Sequence, residues 1–360
     1  MVDDLRWMRR ALEQARRGLG RTTPNPLVGA CVVTPEGVVV GDGAHERAGG
    51  PHAEVRALDE AGAHARGATL YCTLEPCAHA GRTGPCTERI IAAGVARVVA
   101  AMEDPHPLVR GRGFEALRSA GIELAIGLER ERAVRLNQPY LTVIERGRPF
   151  VVLKAAASLD GCIAASPGAR TALTSPVANR RTQYVRAWVD AIGIGVGTVL
   201  TDDPVLTARD VYRERPLVRV VFDRRLRTPA DARLFSTLSA GPVIILTSPD
   251  ALAERQEARR LEDAGATLRA VSGGSLDAAV RALVPCDVQS LLLEGGADVH
   301  RAALREGLVD FVQVFVTPVV LGGGPRLAAG VGVPLAGLIE SRVEVLGPDV
   351  LIEGYVHGPH

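Results

Sequence analysis

Lysine is almost absent from this 360-residue chain. Lys154 is the only lysine among 42 basic side chains, and every other cation is an arginine. With 41 acidic side chains the formal net charge is only +1, so no broad field is available to hold a nucleic-acid backbone or an anionic membrane. Aromatic residues make up 4%, too few for a platform on which successive bases stack. Neither nucleic acid nor a membrane is therefore an expected partner.

Long apolar segments are also missing. The stretch Ala191–Leu200, interrupted by Thr198, is about half of the ~20 residues that a membrane-crossing helix needs. The amphipathic start, which carries Asp3 and Asp4, lacks the apolar core of a secretory signal, so a cytoplasmic location is expected. Six cysteines in so long a chain are too sparse for a disulfide scaffold.

The length predicts two domains, because a single core of ~100–200 residues is usual. The polar segment 145–149 contains Gly147 and Pro149, and we place the boundary there, between domains 1–145 and 149–360. No internal repeat or low-complexity segment is found.

In the first domain, a hairpin is expected around the turn 34–37, followed by alternating helices and strands. The expected helices are 51–61, 87–93 and 113–120, and the expected strands are 68–73, 95–101 and 122–126. This order predicts a sheet with helices on both faces.

The second domain shows a similar alternation. Strands are expected at 150–156, 191–196, 217–222, 243–247 and 290–293, and helices at 176–189, 254–264, 276–283 and 297–306. Three strand segments close the chain, at 311–320, 342–346 and 350–356, with no helix after the last one.

The most specific motif is His52-Ala53-Glu54, followed by Glu75-Pro76-Cys77 and by Cys86. One imidazole and two thiolates are ligands that Zn²⁺ prefers, and three protein ligands leave a fourth position for water, as in catalytic sites. Glu54 then moves protons, the role of the Glu in the H-x-E motif of zinc deaminases. Because residues two apart do not share a helix face, the pair is expected at an irregular first turn, which Pro51 indicates.

A closed structural zinc site with His79 as fourth ligand is the alternative, although it leaves Glu54 without a role. The four other cysteines lie in apolar segments and are interpreted as packing residues: Cys31, Cys72, Cys162 and Cys286.

Four further motifs occur in the second domain: Lys154–Gly161, Gly193–Pro204, Leu291–Ala297 and Leu321–Pro325. The glycines of the second motif imitate a dinucleotide fingerprint, but no helix is expected after them, which argues against a Rossmann site. The third is a strand that leads through a glycine turn into a helix, whose free N–H groups suit a pyrophosphate. Taken singly, each motif is also compatible with a simple tight turn.

The first domain resembles the deaminase half of the bifunctional riboflavin-biosynthesis deaminase/reductases. The resemblance rests on Thr23–Gly29, on the His52 motif and on the stretch Glu75–Cys86, whose eight-residue gap between cysteines differs from the usual two residues of other zinc deaminases. It implies a cytidine-deaminase-like α/β/α sandwich, with substrate contacts at Asn25, His79, Arg82 and Thr83. Ala78 and Gly84 depart from the family pattern, in loop details only.

The second domain resembles the reductase half of the same family, a dihydrofolate-reductase-like α/β domain that uses NADPH. The implied NADPH contacts are Ala156, Thr198, Asp202, Gly296, Ala297, Asp298, Val299, His300, Arg301 and Ala302. The implied substrate contacts are Arg186, Leu206, Arg209 and Glu294, and the two arginines are expected to hold a ribose 5-phosphate. Some relatives have Ser and Trp where this chain has Arg170 and Ala172.

The resemblance implies a zinc-dependent deamination of 2,5-diamino-6-(5-phosphoribosylamino)pyrimidin-4-one, followed by NADPH-dependent reduction of the ribosyl side chain to ribityl. The partner is then a small phosphoribosyl pyrimidine, and a homo-oligomer is expected. Glu54 is the expected catalytic residue of deamination, and Lys154 and Glu294 are those of reduction, with Asp202 as a further candidate. Two alternatives remain: a zinc deaminase of RNA bases with a nucleotide-binding accessory domain, and a non-enzymic nucleotide-binding protein with structural zinc.

The single lysine is a hypothesis of its own. Because arginine supplies every other cation, the one ammonium marks a position where a compact donor with an adjustable pKa is needed. Lys154 opens the first motif of the reductase-like domain, so it is expected to face the cofactor and the substrate.

Overall fold

The computed structural model describes residues 3–78, 84–327 and 337–358. The chain divides into two compact units between Arg146 and Gly147. We call residues 3–146 unit 1 and residues 147–358 unit 2. The division falls inside the polar segment 145–149. Within the described residues, no helix combines the length and apolar character needed to span a membrane.

Unit 1 contains a five-stranded sheet and six α-helices within its described residues. The strands are β1 (Gly29–Val33), β2 (Val39–Ala44), β3 (Thr69–Cys72), β4 (Arg97–Ala100) and β5 (Glu123–Ile126). Their order in the sheet is β2-β1-β3-β4-β5. Strand β1 is antiparallel to β2 and β3, whereas β3, β4 and β5 are parallel. The helices are α1 (Asp4–Ala15), α2 (Ala53–Ala61), α3 (Cys86–Ala93), α4 (Arg112–Ser119), α5 (Arg130–Leu136) and α6 (Gln138–Arg146).

Glycines let two helices lie directly on opposite faces of this sheet. A Cβ on Gly29 would lie 2.0 Å from the Ala11 carbonyl oxygen in α1, and one on Gly43 would lie 1.9 Å from the Ala53 carbonyl oxygen in α2. Gly43 pairs with Ala30, the neighbour of Gly29, and successive residues of a strand point to opposite faces. Helices α1 and α2 therefore cover different faces, which makes unit 1 an α/β/α sandwich and confirms the expected fold class.

Unit 2 contains a nine-stranded sheet within its described residues, in the order β10-β9-β8-β7-β11-β6-β12-β14-β13. The strands are β6 (Phe150–Ser158), β7 (Ala191–Gly195), β8 (Val218–Phe222), β9 (Val243–Thr247), β10 (Ala266–Ala270), β11 (Ser290–Gly295), β12 (Phe311–Thr317), β13 (Ile339–Leu346) and β14 (Asp349–Tyr355). The pairings from β10 to β12 are parallel, and β14 and β13 complete the sheet in antiparallel pairing.

The helices of unit 2 follow its parallel strands. They are α7 (Pro176–Trp188), α8 (Val196–Asp202), α9 (Pro249–Ala253), α10 (Arg255–Asp263), α11 (Leu276–Arg281) and α12 (Ala297–Arg305). Short 3₁₀ segments occur in the two units at Arg16–Gly18, Gly62–Ala65, Arg233–Ala240 and Val284–Cys286.

Both faces of the second sheet are buried. Val152 and Leu292 belong to one hydrophobic cluster, whereas Val151 and Leu291 belong to another. Alternate residues of the same strands thus supply two cores, as parallel sheets covered on both sides require.

The prediction for the second glycine motif is wrong in one respect. Helix α8 begins at Val196, directly after β7, where no helix was expected. It is short, spanning 7 residues, and its β-branched and small residues are weak helix formers, so the pattern did not indicate it. Helices α5, α6 and α9 and strand β10 were also missing from the prediction.

Candidate active sites

Unit 1 brings the three predicted metal ligands together. The His52 ring nitrogen Nδ1 lies 3.1 Å from the Cys86 sulfur and 3.5 Å from the Cys77 sulfur, and the ligand atoms all lie within 4.8 Å of one another. The Cys86 thiol and His52 lower the pKa of Cys77, which gives it the thiolate character that a metal ligand needs. This donor set and its spacing fit a zinc ion.

The first turn of α2 is irregular, as the His52/Glu54 spacing required. His52 is the N-cap residue, with extended backbone angles of φ −70° and ψ 160°, and Ala53 begins the helix. Cys86 begins α3, and its amide donates to the Cys77 sulfur at 3.5 Å. Two helix N-termini and the loop after β3 therefore supply the three ligands.

Glu54 is buried beside the ligands, with 3% of its surface exposed. Its oxygen Oε2 has no hydrogen-bond partner within the described residues, and burial raises the pKa of this carboxyl to about 7. A buried carboxyl oxygen without a partner is costly, and a pKa near neutrality suits a group that both accepts and donates protons.

Asn25 belongs to a short hydrogen-bond network that the sequence did not indicate. The His45 nitrogen Nδ1 lies 3.1 Å from the Pro51 carbonyl oxygen, which can only accept, so Nδ1 carries the proton. The other ring nitrogen then accepts from the Asn25 amide nitrogen at 3.0 Å. Burial lowers the pKa of His45, in agreement with a neutral ring. His45 also packs edge-on against His52, with 5.4 Å between ring centroids.

Glu75 anchors the ligand segment to a distant loop. Its carboxylate accepts from the backbone N–H groups of Asp104, Gly111, Gly113 and Phe114 at 2.8–3.4 Å. Glu75 lies two residues before Cys77, so the loop and the metal-ligand segment are held in one arrangement.

Of the remaining cysteines, Cys31 and Cys72 lie in the core of unit 1 and Cys286 packs against a core of unit 2. Cys162 is buried, with its sulfur 3.7 Å from Asp160. The predicted substrate contacts His79, Arg82 and Thr83 lie outside the described residues.

Unit 2 contains a cavity of about 1230 Å³. Its lining includes eleven of the predicted residues: Lys154, Ala156, Thr198, Asp202, Arg209, Glu294, Gly296, Ala297, Asp298, Val299 and His300. Four predicted contacts do not line it: Arg186, Leu206, Arg301 and Ala302. The cavity exceeds the ~300–1,000 Å³ typical of single-ligand pockets, so it has room for a dinucleotide and a second molecule.

The glycine turn before α12 fits a nucleotide. Gly296 has φ 92°, a conformation that favours glycine, and a Cβ on Gly295 would lie 3.0 Å from Thr198 Oγ1. The glycines therefore let Thr198 lie close to the turn, at the N-terminus of a nine-residue helix, where N–H groups favour phosphates.

Lys154 and Glu294 lie on adjacent parallel strands. Leu153 of β6 pairs with Leu293 of β11, so the next residue of each strand projects from the same face. Burial lowers the pKa of Lys154, and the charge of Glu294 opposes that shift. Burial raises the pKa of Glu294, but Arg186 and Lys154 together lower it below the ordinary value. The structure therefore places Lys154 and Glu294 on one face of the sheet, at the cavity.

Arg186 is engaged by this carboxylate. Its Nε and Nη2 donate to the two oxygens of Glu294 at 2.6 Å each, and Nη1 donates to the Thr207 carbonyl at 2.8 Å. The side chains of Arg186 and Glu294 are 13% and 8% exposed. Leu206 does not line the cavity, because its side chain packs in a hydrophobic core of unit 2.

Sequence reasoning missed one wall of the cavity. Residues on one face of α7 line it, namely Asn179, Arg180, Gln183 and Tyr184, together with most of the segment 163–174, of which only Arg170 and Ala172 were singled out from the sequence. Their helical spacing of three and four residues is the signal that could have indicated a shared face.

Together, the two units define a two-part enzyme. One part is a zinc deaminase, and the other is a nucleotide-dependent reductase.

The comparisons with known proteins agree with this class. Residues 1–102 match the cytidine and deoxycytidylate deaminase zinc-binding region, and residues 149–352 match the RibD C-terminal domain. The riboflavin biosynthesis protein RibD of Aquifex aeolicus is 41% identical over 355 residues, with 97% of each chain covered, and that of Escherichia coli is 42% identical with 90% of each covered.

Solved structures are similar over nearly the whole chain. RibD of Acinetobacter baumannii superposes with a TM-score of 0.86 at 36% identity, covering 98% of both chains. The deaminase/reductase of Thermotoga maritima has a TM-score of 0.84 at 34% identity and the same coverage. The chain belongs to the RibD family of bifunctional riboflavin-biosynthesis enzymes, which pair a zinc-binding deaminase with an NADPH-dependent reductase.

Proposed function

We propose that residues 1–145 remove the 2-amino group of 2,5-diamino-6-(5-phosphoribosylamino)pyrimidin-4-one as ammonia, and that residues 149–360 reduce the ribosyl side chain of the product to ribityl. The observation that carries this division is that each unit has a candidate site of its own. Unit 1 has the His52, Cys77 and Cys86 cluster beside Glu54, whose Oε2 has no partner among the described residues, and unit 2 has the cavity lined by Lys154 and Glu294.

In deamination, His52, Cys77 and Cys86 would hold the zinc ion, which when bound would lower the pKa of a water so that it acts as a nucleophile. Glu54 carries a proton on its carboxyl group to the departing amino nitrogen, and its burial keeps bulk water from competing. Asn25 presents its amide to the pyrimidine, in an orientation that His45 holds through its ring nitrogen.

In reduction, the segment Gly296–His300, with Ala156, Thr198 and Asp202, would bind NADPH, which supplies a hydride when bound. In the open-chain imine form of the substrate, hydride adds to C1′, the C=N π bond breaks, and Lys154 donates a proton to the imine nitrogen. Glu294 keeps the ammonium charged and oriented, while Arg186 holds Glu294 in place. The resulting acid lines the cavity, and a positioned proton donor typically contributes about 10²–10⁴-fold.

Exchange of Glu54 for Gln tests the division of labour. The variant should lose ammonia release by about 10²–10⁴-fold, the usual contribution of a general acid–base, and should still reduce the deaminated intermediate at the wild-type rate. Glu60→Gln, an exposed position on the same helix, is the matched control and should leave both reactions unchanged. Equal loss of both reactions in Glu54→Gln would contradict the two-site proposal.

The RNA-base alternative is not favoured, because it has no use for a reductase half. Ammonia release from folded RNA, with none from the pyrimidine phosphate, would support it. We also propose a cytoplasmic location, in keeping with six free cysteines. The expected homo-oligomer stays a prediction, which light scattering on the purified chain tests.

A further inference from the structure

The ammonium of Lys154 makes neither a hydrogen bond nor an ion pair within the described residues. Glu294 acts on it through its charge, but both oxygens of that carboxylate accept from Arg186 at 2.6 Å. An ammonium has three donors, and burying a charged group without compensating contacts is costly. Since β6 lies between β11 and β12, the groups that hold the ammonium besides Glu294 are expected on β12.

Phe315 of β12 presents its ring to this ammonium. Lys154 Nζ lies 5.4 Å from the centroid of the ring. A cation within about 6 Å of an aromatic ring is attracted by the negative face of the π system, and more strongly where water is excluded. Phe315 is fully buried, and its ring is fixed by packing in one hydrophobic cluster with Ala178, Leu346 and Leu351. The contact therefore joins the ammonium to a rigid core residue.

The register of β6 and β12 explains how the ammonium reaches the ring. Lys154 pairs with Gln313, and Ala156 pairs with Phe315, so all four side chains project from one face of the sheet. Ala156 is small, and the long side chain of Lys154 leans along the strand over the space that it leaves. A larger residue at position 156 would separate the ammonium from the ring.

Gln313 lies on the same face, in the position paired with Lys154. Its side chain is buried, with 5% of the residue exposed; Nε2 donates to Glu353 of β14 at 2.9 Å, whereas Oε1 has no partner among the described residues. A carboxylate only accepts, so Glu353 fixes which end of the amide is the nitrogen. Because β12 lies between β14 and β6, engagement of Nε2 with β14 leaves Oε1 as the acceptor for β6, where Lys154 is the paired residue.

Helix α7 anchors the acids on both sides of Lys154. Arg181 lies 3.6 Å from the Glu353 carboxylate, which orients the Gln313 amide. Further along the same helix, Arg186 holds the carboxylate on β11 in the same way. The polar groups that flank the lysine are therefore fixed from above by one element.

The other ionisable groups that act on Lys154 keep their charge state while it titrates. Burial lowers the pKa of Arg186, but the charge of Glu294 raises it above the ordinary value. Burial raises the pKa of Glu294, but Arg186 lowers it below the ordinary value. His300 of α12 is neutral, because burial lowers its pKa to about 4. Among these groups, Lys154 alone is left to change its charge in the alkaline range.

We propose that Phe315 and Gln313 are positioning residues for reduction: the ring of Phe315 and Oε1 of Gln313, directly or through one water, hold the charged ammonium of Lys154. This inference rests on the proposed reductase function, in which Lys154 protonates the imine nitrogen. Both contacts favour the charged form of the lysine, which is the form that donates, and both oppose the effect of burial.

The single lysine allows a direct test. When lysine carries carbon-13 at Cε, the chain gives one side-chain resonance, whose chemical shift follows the charge of Lys154 as the pH is raised. Exchange of Phe315 for 4-fluorophenylalanine and for 3,4,5-trifluorophenylalanine keeps the shape of the ring and progressively weakens its negative face. The midpoint of the titration should fall in the same order, by about 0.5–1 pH unit for the trifluoro ring.

Gln313→Met removes the acceptor and nearly keeps the volume. It should lower the midpoint by about 1 pH unit, the effect of losing a hydrogen bond to a charged group. In the reductase assay, the alkaline decline of the rate should move to lower pH in the same variants, while KM for NADPH and ammonia release stay at wild-type values.

Val314→Ala is the matched control. Val314 lies between Gln313 and Phe315, is buried at 5% exposure, and projects from the opposite face of the sheet. The variant should lower the Tm of unit 2 without moving the titration of Lys154. This separates a positioning role from a merely structural one.

An unchanged midpoint in the fluorinated series or in Gln313→Met would overturn the proposal, as would a shift of equal size in Val314→Ala. The magnetic-resonance titration does not depend on turnover. If the wild-type chain fails to reduce the pyrimidine, the proposed function fails, whereas the titration still decides whether β12 holds the ammonium.

Discussion

The Arg186–Glu294 pair allows structural and catalytic contributions to be separated by a double-mutant cycle. Both side chains are nearly buried, at 13% and 8% exposure, and two donors meet two acceptors at 2.6 Å. Removing one partner leaves an uncompensated buried charge, which costs about 3–5 kcal/mol, whereas replacing both by apolar residues of similar volume is often neutral. Arg186→Met or Glu294→Leu alone should therefore destabilise unit 2, and the double variant should recover part of that loss, because buried Lys154 still loses the charge of Glu294.

The size of the effect is measurable. A domain of 150–250 residues loses about 2–4 °C of Tm per kcal/mol, so each single variant should melt roughly 6–20 °C lower. The chain has two tryptophans, and Trp188 lies on α7, two residues after Arg186. In a Trp7→Phe background, the fluorescence of Trp188 therefore follows unit 2 alone.

Activity completes the cycle. Reduction should be lost in the double variant although its stability partly recovers, because Glu294 and Lys154 both line the cavity. Arg181→Gln, which breaks a more exposed pair on the same helix, should cost at most about 1 kcal/mol. Single variants as stable as Arg181→Gln, or a double variant as unstable as the sum of the singles, would refute the reasoning.

Three further outcomes are expected. Chelation of zinc should abolish ammonia release and leave reduction intact, and metal analysis should find one ion per chain; parallel loss of both reactions would argue against the assignment of the metal to unit 1. Because burial lowers the pKa of Lys154, wild-type reduction should decline with rising pH before the ordinary lysine value of 10.5, and Lys154→Arg should impair reduction while sparing deamination. Wild-type reductase kinetics in that variant would remove the proposed role. Gly113→Ala places a Cβ 1.9 Å from the Pro76 carbonyl oxygen, so it should destabilise unit 1 by about 1–3 kcal/mol and lower its zinc content. Gly197→Ala, which has open space around its Cβ, should change neither the stability of unit 1 nor its zinc content.

The metal ligands could be predicted from the sequence because their chemistry is tied to local spacing. His52 and Glu54 are two residues apart, and the extended N-cap that lets both face the site follows from Pro51. The network of His45 could not be found in this way. Its role depends on a contact with Asn25, 20 residues earlier, which exists only after the β1–β2 hairpin has formed.

In unit 2, strands with continuous apolar residues were predicted well, since burial on both faces leaves a strong signal. Strand β10 was missed because Thr267 and Arg269 interrupt that signal at the sheet edge. The ion pair between Arg186 and Glu294 could not be predicted either, because 108 residues separate the two. Taken alone, the arginine suits a substrate phosphate and the glutamate suits a substrate hydroxyl.

The single lysine also makes the chain a convenient reporter of its own unfolding. Lys154 lies within β6, between β11 and β12, so its peptide bond is inaccessible while the nine-stranded sheet persists. An endoprotease specific for lysine therefore has one target in the whole chain and can cut it only after β6 leaves the sheet. A single cut yields two fragments, and the rate of their appearance measures how often unit 2 opens, without a label or an introduced residue.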